Sequence, residues 1–133
     1  MTLAAFALAG HQAGDLAIKQ IAATLRSSIR QSDTASRYGG EEFAILLPET
    51  LAAQAAVVAE NLRAIIESME IKTQDEQVIR ITASLGICST DGSTVLTTDE
   101  LYRQADAALY RAKSGGRNRV ESSDPPSPLR LEA

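Results

Sequence analysis

The chain has 133 residues, the length of one domain, so a two-domain enzyme with a separate regulatory module is not expected within this stretch. With 44% hydrophobic and 23% charged residues it reads as a globular domain, neither disordered nor fibrous. A net charge of −4 argues against indiscriminate attachment to nucleic acid or to an anionic membrane.

No apolar run reaches the roughly 18–20 residues needed to cross a bilayer. Met1–Ala9 has an Ala-Leu-Ala end but no positively charged start, so it is not read as a secretion signal. Gly14 to about Arg30 carries Leu16, Ile18, Ile21, Ala22, Leu25 and Ile29 at helical spacing. Ala35–Tyr38 and Glu42–Leu47 are strand-like and flank Gly39-Gly40, which suits the positive φ of a tight hairpin, with Glu41 just past the tip. Pro48 stops the second strand, and Thr50 is a candidate cap for a helix reaching about Met69.

Val78–Cys88 is rich in β-branched residues and predicts the longest strand. Thr97 and Glu100 make a capping-box pattern before a helix that should end near Lys113, ahead of Gly115-Gly116. Residues 122–133 are turn-formers without periodicity and predict an unstructured tail. With no Trp, three Tyr and two Phe, the core must draw its bulk from Leu, Ile and Val. The single cysteine, Cys88, sits in an apolar run; a buried thiol and a reducing compartment, the cytoplasm, are expected.

Two stretches carry chemistry. Arg37-Tyr38-Gly39-Gly40-Glu41-Glu42-Phe43 joins two glycines, which let a ligand approach the backbone, to two acids that could hold phosphates through a divalent metal. Taken alone it reads first as a tight hairpin with solvated acids. Arg103, Arg111, Lys113, Arg117 and Arg119 cluster around one acid, Asp106, as an anion site or a solvated face. His11, without a second ligand nearby, is read as structural.

The hairpin resembles the signature of the GGDEF family of diguanylate cyclases in its Gly-Gly-Glu-Glu-Phe form. Further stretches agree in order: Gly10-His11-Gln12-Ala13-Gly14-Asp15 with G-H-x-x-G-D, Ala83–Ile87 with S-x-G-I, and Ala105–Lys113 followed by Gly116-Arg117-Asn118 with A-D-x-A-x-Y-x-A-K…G-R-N. The resemblance implies an α+β fold of the nucleotidyl-cyclase, palm-type class: an antiparallel-rich sheet flanked by helices. It implies a reaction in which two GTP molecules, one on each subunit of a homodimer, become cyclic di-GMP and two pyrophosphates with Mg²⁺ or Mn²⁺. Carried over by position, Glu41 is a metal ligand, Glu42 its acidic neighbour and Arg37 an arginine near the reacting phosphates. Gly39 and Gly40 bring the backbone against the nucleotide, Lys113 and Arg117 bind the β- and γ-phosphates, and Asp15 reads guanine. Without the resemblance, Lys113 and Arg117 are a helix C-terminal charge cluster and Asp15 a first-turn acid.

Arg30-Gln31-Ser32-Asp33 stands at the family's R-x-x-D spacing for a product-inhibition site binding cyclic di-GMP. A second arginine would come from the next helix, where Asn61 stands, with Arg63 as the substitute. No nucleic acid or membrane is expected as a partner, and an upstream regulatory domain is expected in the full-length protein.

The sequence departs from the family at its start. A strand with a metal-binding aspartate, leading into D-x-D-x-F-K-x-x-N-D, normally precedes G-H-x-x-G-D. Here residues 1–9 read as an altered, non-family start, residues 10–121 as an incomplete GGDEF domain with its first strand missing, and 122–133 as the tail. Counting back from Gly10 puts Phe6 and Ala7 at the positions of the guanine-reading asparagine and the following aspartate. A missing metal carboxylate, a damaged guanine pocket and a weakened sheet follow, unless residues 1–9 or another copy fill the gap. The expectation is a cyclase-type domain with little or no activity, or a degenerate domain that binds cyclic di-GMP as a receptor.

Overall fold

The computed structural model describes residues 1–10, 15–90 and 96–123. In chain order the elements are β1 (Thr2–Gly10), α1 (Asp15–Ser28), β2 (Thr34–Gly39), β3 (Glu42–Leu47), α2 (Ala52–Ser68), β4 (Ile71–Lys72), β5 (Val78–Ile79), β6 (Ile81–Ser89), α3 (Thr98–Ser114) and β7 (Val120–Ser122). Five strands form one sheet in the order β2-β3-β1-β6-β7, antiparallel except for the parallel β6–β7 pair. The α+β class expected from the sequence is thus the observed one.

The strand expected to be missing is present, and it is the centre of the sheet. Thr2–Gly10 pairs with β3 on one side and with β6 along its whole length on the other. Its run of Ala, Leu and Phe reads as altered because it carries none of the family's acidic motif; buried on both faces, it also lacks the polar alternation of a half-exposed strand. Ala4, Phe6 and Leu8 point into the core shared with α1 and α2, where the Phe6 and Phe43 rings stack 5.0 Å apart. Leu3, Ala5 and Ala7 face the other way, into a second core with Leu101, Ala105 and Leu109 of α3. Phe6 and Ala7 are therefore core residues and not occupants of a guanine pocket. The G-H-x-x-G-D match begins at Gly10, the last residue of β1, so the acidic segment that precedes it in the family pattern is absent from the strand itself. With both neighbours of β1 paired, the sheet is not weakened at its middle.

Three smaller expectations change. Arg80 divides the predicted long strand: Val78–Ile79 pairs with β4 as a separate two-stranded ribbon, and β6 begins at Ile81. Leu51, not Thr50, occupies the N-cap position of α2, and its N–H donates to Gln54 Oε1 at 3.1 Å. Val120–Ser122 adds a short parallel strand, so Ser122 belongs to the sheet; the rest of the predicted tail, from Asp124 on, and His11 lie outside the described residues. The capping box of α3 forms as read, with Glu100 N–H donating to Thr97 Oγ1 at 3.1 Å. Cys88 is buried, as expected.

Candidate functional site

The hairpin between β2 and β3 turns on Gly39 (φ +138°) and Gly40 (φ +46°), conformations an L-residue rarely adopts. A Cβ at either would meet nothing within 4 Å, so the backbone at the tip is open to an approaching ligand. Arg37 folds over the tip: its Nε and Nη2 donate to Gly40 O at 3.0 and 2.7 Å. The arginine expected near reacting phosphates is here fastened to the hairpin's own backbone. Glu41 is exposed at the tip, and Glu42 opens β3.

Helix α3 brings its last turn to this hairpin. Lys113 Nζ donates to Glu42 Oε1 at 3.2 Å, an ion pair whose side chains keep 29% and 43% exposure and which therefore adds little to stability. Four residues before Glu42, the Tyr38 ring stacks on Tyr102 of α3 with centroids 4.4 Å apart. Burial first, then the charges of Asp106 and Glu42 and the neighbouring Tyr38, push the Tyr102 hydroxyl pKa upward.

Past α3 the chain turns through three consecutive left-handed residues, Gly116 (φ +120°), Arg117 (+64°) and Asn118 (+49°). Arg117 N–H donates to Ala112 O at 2.9 Å, and Asn118 N–H to the Oγ of fully buried Ser84 at 3.0 Å. The Asn118 amide accepts from Arg63 Nη1 at 2.9 Å and donates to Glu67. This clasp ties the S-x-G-I strand to the G-R-N turn and leaves the Arg117 side chain exposed. It also engages Arg63, the substitute expected for the second arginine, which binds Glu60 through Nε and Nη2. Ser84→Ala strands the Asn118 N–H and should cost about 1–3 kcal/mol, read from urea denaturation at unchanged far-UV circular dichroism.

Asp15 opens α1 as its first-turn acid, exposed. Because β1 and β3 are antiparallel, it follows the β1 end that lies beside Glu42. Arg30 and Asp33 sit at the other end of β3. There Arg30 Nε and Nη2 donate to Asp33 Oδ2 and Oδ1 at 3.2 and 3.0 Å, beside a groove of about 220 Å³ lined in part by Leu47, Glu49, Gln54 and Val58. The Asp33 side chain is only 3% exposed beneath the guanidinium. The structure therefore gathers Gly39, Gly40, Glu41, Glu42, Arg37 and Lys113 at one end and keeps the R-x-x-D pair apart. Sequence reading missed the roles of Ser84, Asn118 and Thr50; the first two stood inside quoted motifs, and Thr50 was assigned to the wrong task.

The donor set can be tested against the divalent metal on which the family's chemistry depends. Opposite Glu42 in the β1 register stands Ala7, and Leu8 N–H donates to Glu41 O at 3.0 Å. The strand thus presents apolar side chains beside the hairpin acids. Among the described residues no group of three or more His, Cys, Asp or Glu could hold a metal ion. Glu41, with Glu42 paired to Lys113, does not complete such a site.

Sheet order, the Gly-Gly tip and the acids behind it define a nucleotidyl-cyclase-type α+β domain. Residues 7–119 match the family profile described as diguanylate cyclase, GGDEF domain. The chain belongs to that family. It is 40% identical over 114 residues to diguanylate cyclase A of Treponema denticola, covering 86% of this chain and 30% of that protein. It is 41% identical over 113 residues to diguanylate cyclase DgcM of Escherichia coli K12, covering 85% and 26%. The chain thus spans less than a third of the curated relatives it matches. Among solved structures, the GGDEF domain of DgcB from Caulobacter crescentus in complex with c-di-GMP superposes with a TM-score of 0.81 at 32% identity, covering 92% of this chain and 77% of that one.

Proposed function

We propose that this chain is the GGDEF domain of a cyclic di-GMP signalling protein, of the type that condenses two GTP across a homodimer, with its own turnover low or nil. In the family reaction each 3′-hydroxyl attacks the α-phosphate of the other GTP, and two pyrophosphates leave. Here Lys113, Arg117 and the open Gly39-Gly40 backbone are the groups suited to a triphosphate. The observation that carries the low-turnover reading is Ala7 opposite Glu42, where the central strand offers no carboxylate to a metal. Mg²⁺ or Mn²⁺, GTP, the homodimer, an upstream regulatory domain and a cytoplasmic location belong to this reading.

A second reading, a cyclic di-GMP receptor, is favoured by the Arg30–Asp33 pair set beside a groove at the end of β3 remote from Glu41. Both are tested on one sample. The purified chain is incubated with GTP and Mg²⁺ or Mn²⁺ and the product separated by chromatography; cyclic di-GMP is then titrated calorimetrically against the chain and against Arg30→Ala. Turnover at the detection limit is expected, with binding weakened at least about tenfold in the variant, the loss of one charged hydrogen-bond donor. Steady product formation would overturn the low-turnover reading, and equal affinities would overturn the receptor reading.

A further inference from the structure

The Arg30 guanidinium is held by more than Asp33. Its Nη2 also donates to Pro48 O at 2.8 Å and to Thr50 Oγ1 at 2.7 Å, while the Thr50 hydroxyl spends its own proton on Pro48 O at 3.0 Å. The hydroxyl is thereby oriented, its proton on the carbonyl and a lone pair toward Arg30. Between these two anchors Glu49 sits at φ +52°, a left-handed conformation disfavoured for residues other than glycine and asparagine. Thr50 is 5% exposed, and its carbonyl accepts from Thr2 Oγ1 at 2.8 Å; Thr2 in turn shares a 2.6 Å hydrogen bond with Ser89 Oγ. The loop that grips Arg30 is thus tied to the first residue of the central strand. With Nε and Nη2 engaged, Nη1 is the guanidinium nitrogen with no protein partner among the described residues. Both Asp33 oxygens accept from Arg30, Oδ2 also accepting the Arg30 backbone N–H at 2.9 Å, and Oδ1 keeps a lone pair open.

We propose that Thr50 is a positioning residue for Arg30: its hydroxyl, backed through its carbonyl by Thr2, holds the guanidinium ready to bind cyclic di-GMP through Nη1. This rests on the receptor reading of the Arg30 groove. Asp33 then orients the arginine from beneath, through both of its oxygens. Holding a long side chain in its binding geometry before the ligand arrives removes part of the ordering cost of association.

The test uses the full chain, unlabelled for calorimetry with cyclic di-GMP and ¹⁵N-labelled for the Arg30 Nε–H resonance. Thr50→Val, which deletes the hydroxyl at nearly constant volume, should weaken binding about tenfold and move that resonance in the free protein. Thr50→Ser, which keeps the hydroxyl, should bind within about twofold of the unaltered chain and leave the resonance in place. If Thr50→Val does not fold, Thr50→Ala carries the same expectation without a methyl against Pro48. Full affinity and an unmoved resonance in the hydroxyl-less variant, at intact Arg30-dependent binding, would overturn the positioning role alone. Binding that is absent, or equal in Arg30→Ala, would overturn the receptor reading and this proposal with it.

Discussion

Gly86→Ala should abolish or nearly abolish cooperative folding. Gly86 lies in β6 under α3, and a Cβ there would stand 2.1 Å from Leu109 N, 2.2 Å from Ala105 O and 2.8 Å from Ala108 C. All three are helix backbone atoms, so no side chain can rotate out of the way. The helix would have to lift from the sheet, opening the core formed by Leu101, Ala105 and Leu109 against β1 and β6. Ordinary overpacking costs about 1–3 kcal/mol. Displacing a whole helix should exceed that and reach a large share of the roughly 5–15 kcal/mol that stabilises a domain. Urea denaturation followed by circular dichroism decides the matter: a midpoint within a few tenths molar of the unaltered chain would mean that α3 accommodates the methyl group.

The second large effect is a gain. Inserting a D-x-D-x-F-K-x-x-N-D segment ahead of Leu8, at the Gly10 end of β1, should raise GTP turnover by about a thousandfold, the equivalent of about 4 kcal/mol in the barrier. The reason is positional. β1 already pairs with β3 so that Ala7 faces Glu42, and carboxylates placed at this end of the strand would stand beside Glu41. No new strand is needed, because Thr2–Gly10 fills the centre of the sheet. Cyclic di-GMP formed from GTP with Mg²⁺ is the readout, alongside the Glu41→Gln form of the same insertion, which should return to background. An inserted chain that folds, binds GTP and stays silent would place the defect elsewhere, with Arg37 and its closure onto Gly40 the first suspect.

Local chemistry was legible in the sequence wherever a few adjacent residues decide the outcome. The Gly39-Gly40 turn, the Thr97–Glu100 capping box, the end of α3 at Gly115 and the buried Cys88 all depend on neighbours within about one turn or one hairpin. The family motifs likewise named the residues that the fold assembles at the hairpin and at the end of α3. Thr2–Gly10 misled because it lacks the acidic motif of the family's opening strand, and burial on two faces also erases the period-two pattern by which a strand announces itself. Only its partners, β3 on one side and β6 on the other, identify it as the central strand.

Thr50 shows the same limit for a polar residue. As a threonine before an apolar helical run it satisfied every local rule for a cap, yet its hydroxyl went to Arg30, twenty positions earlier in the chain, and to Pro48. Arg63 was similarly engaged by Asn118, 55 positions later. By itself, the sequence determined the family, the hairpin, the three main helices and the absence of a carboxylate from the opening segment. Tertiary structure alone decided that this segment is the sheet's central strand, that Glu42 pairs with Lys113, and that Arg30 is held by Thr50. Those outcomes rest on contacts between residues far apart in the chain, whose hydrogen bonds and packing have no local signature.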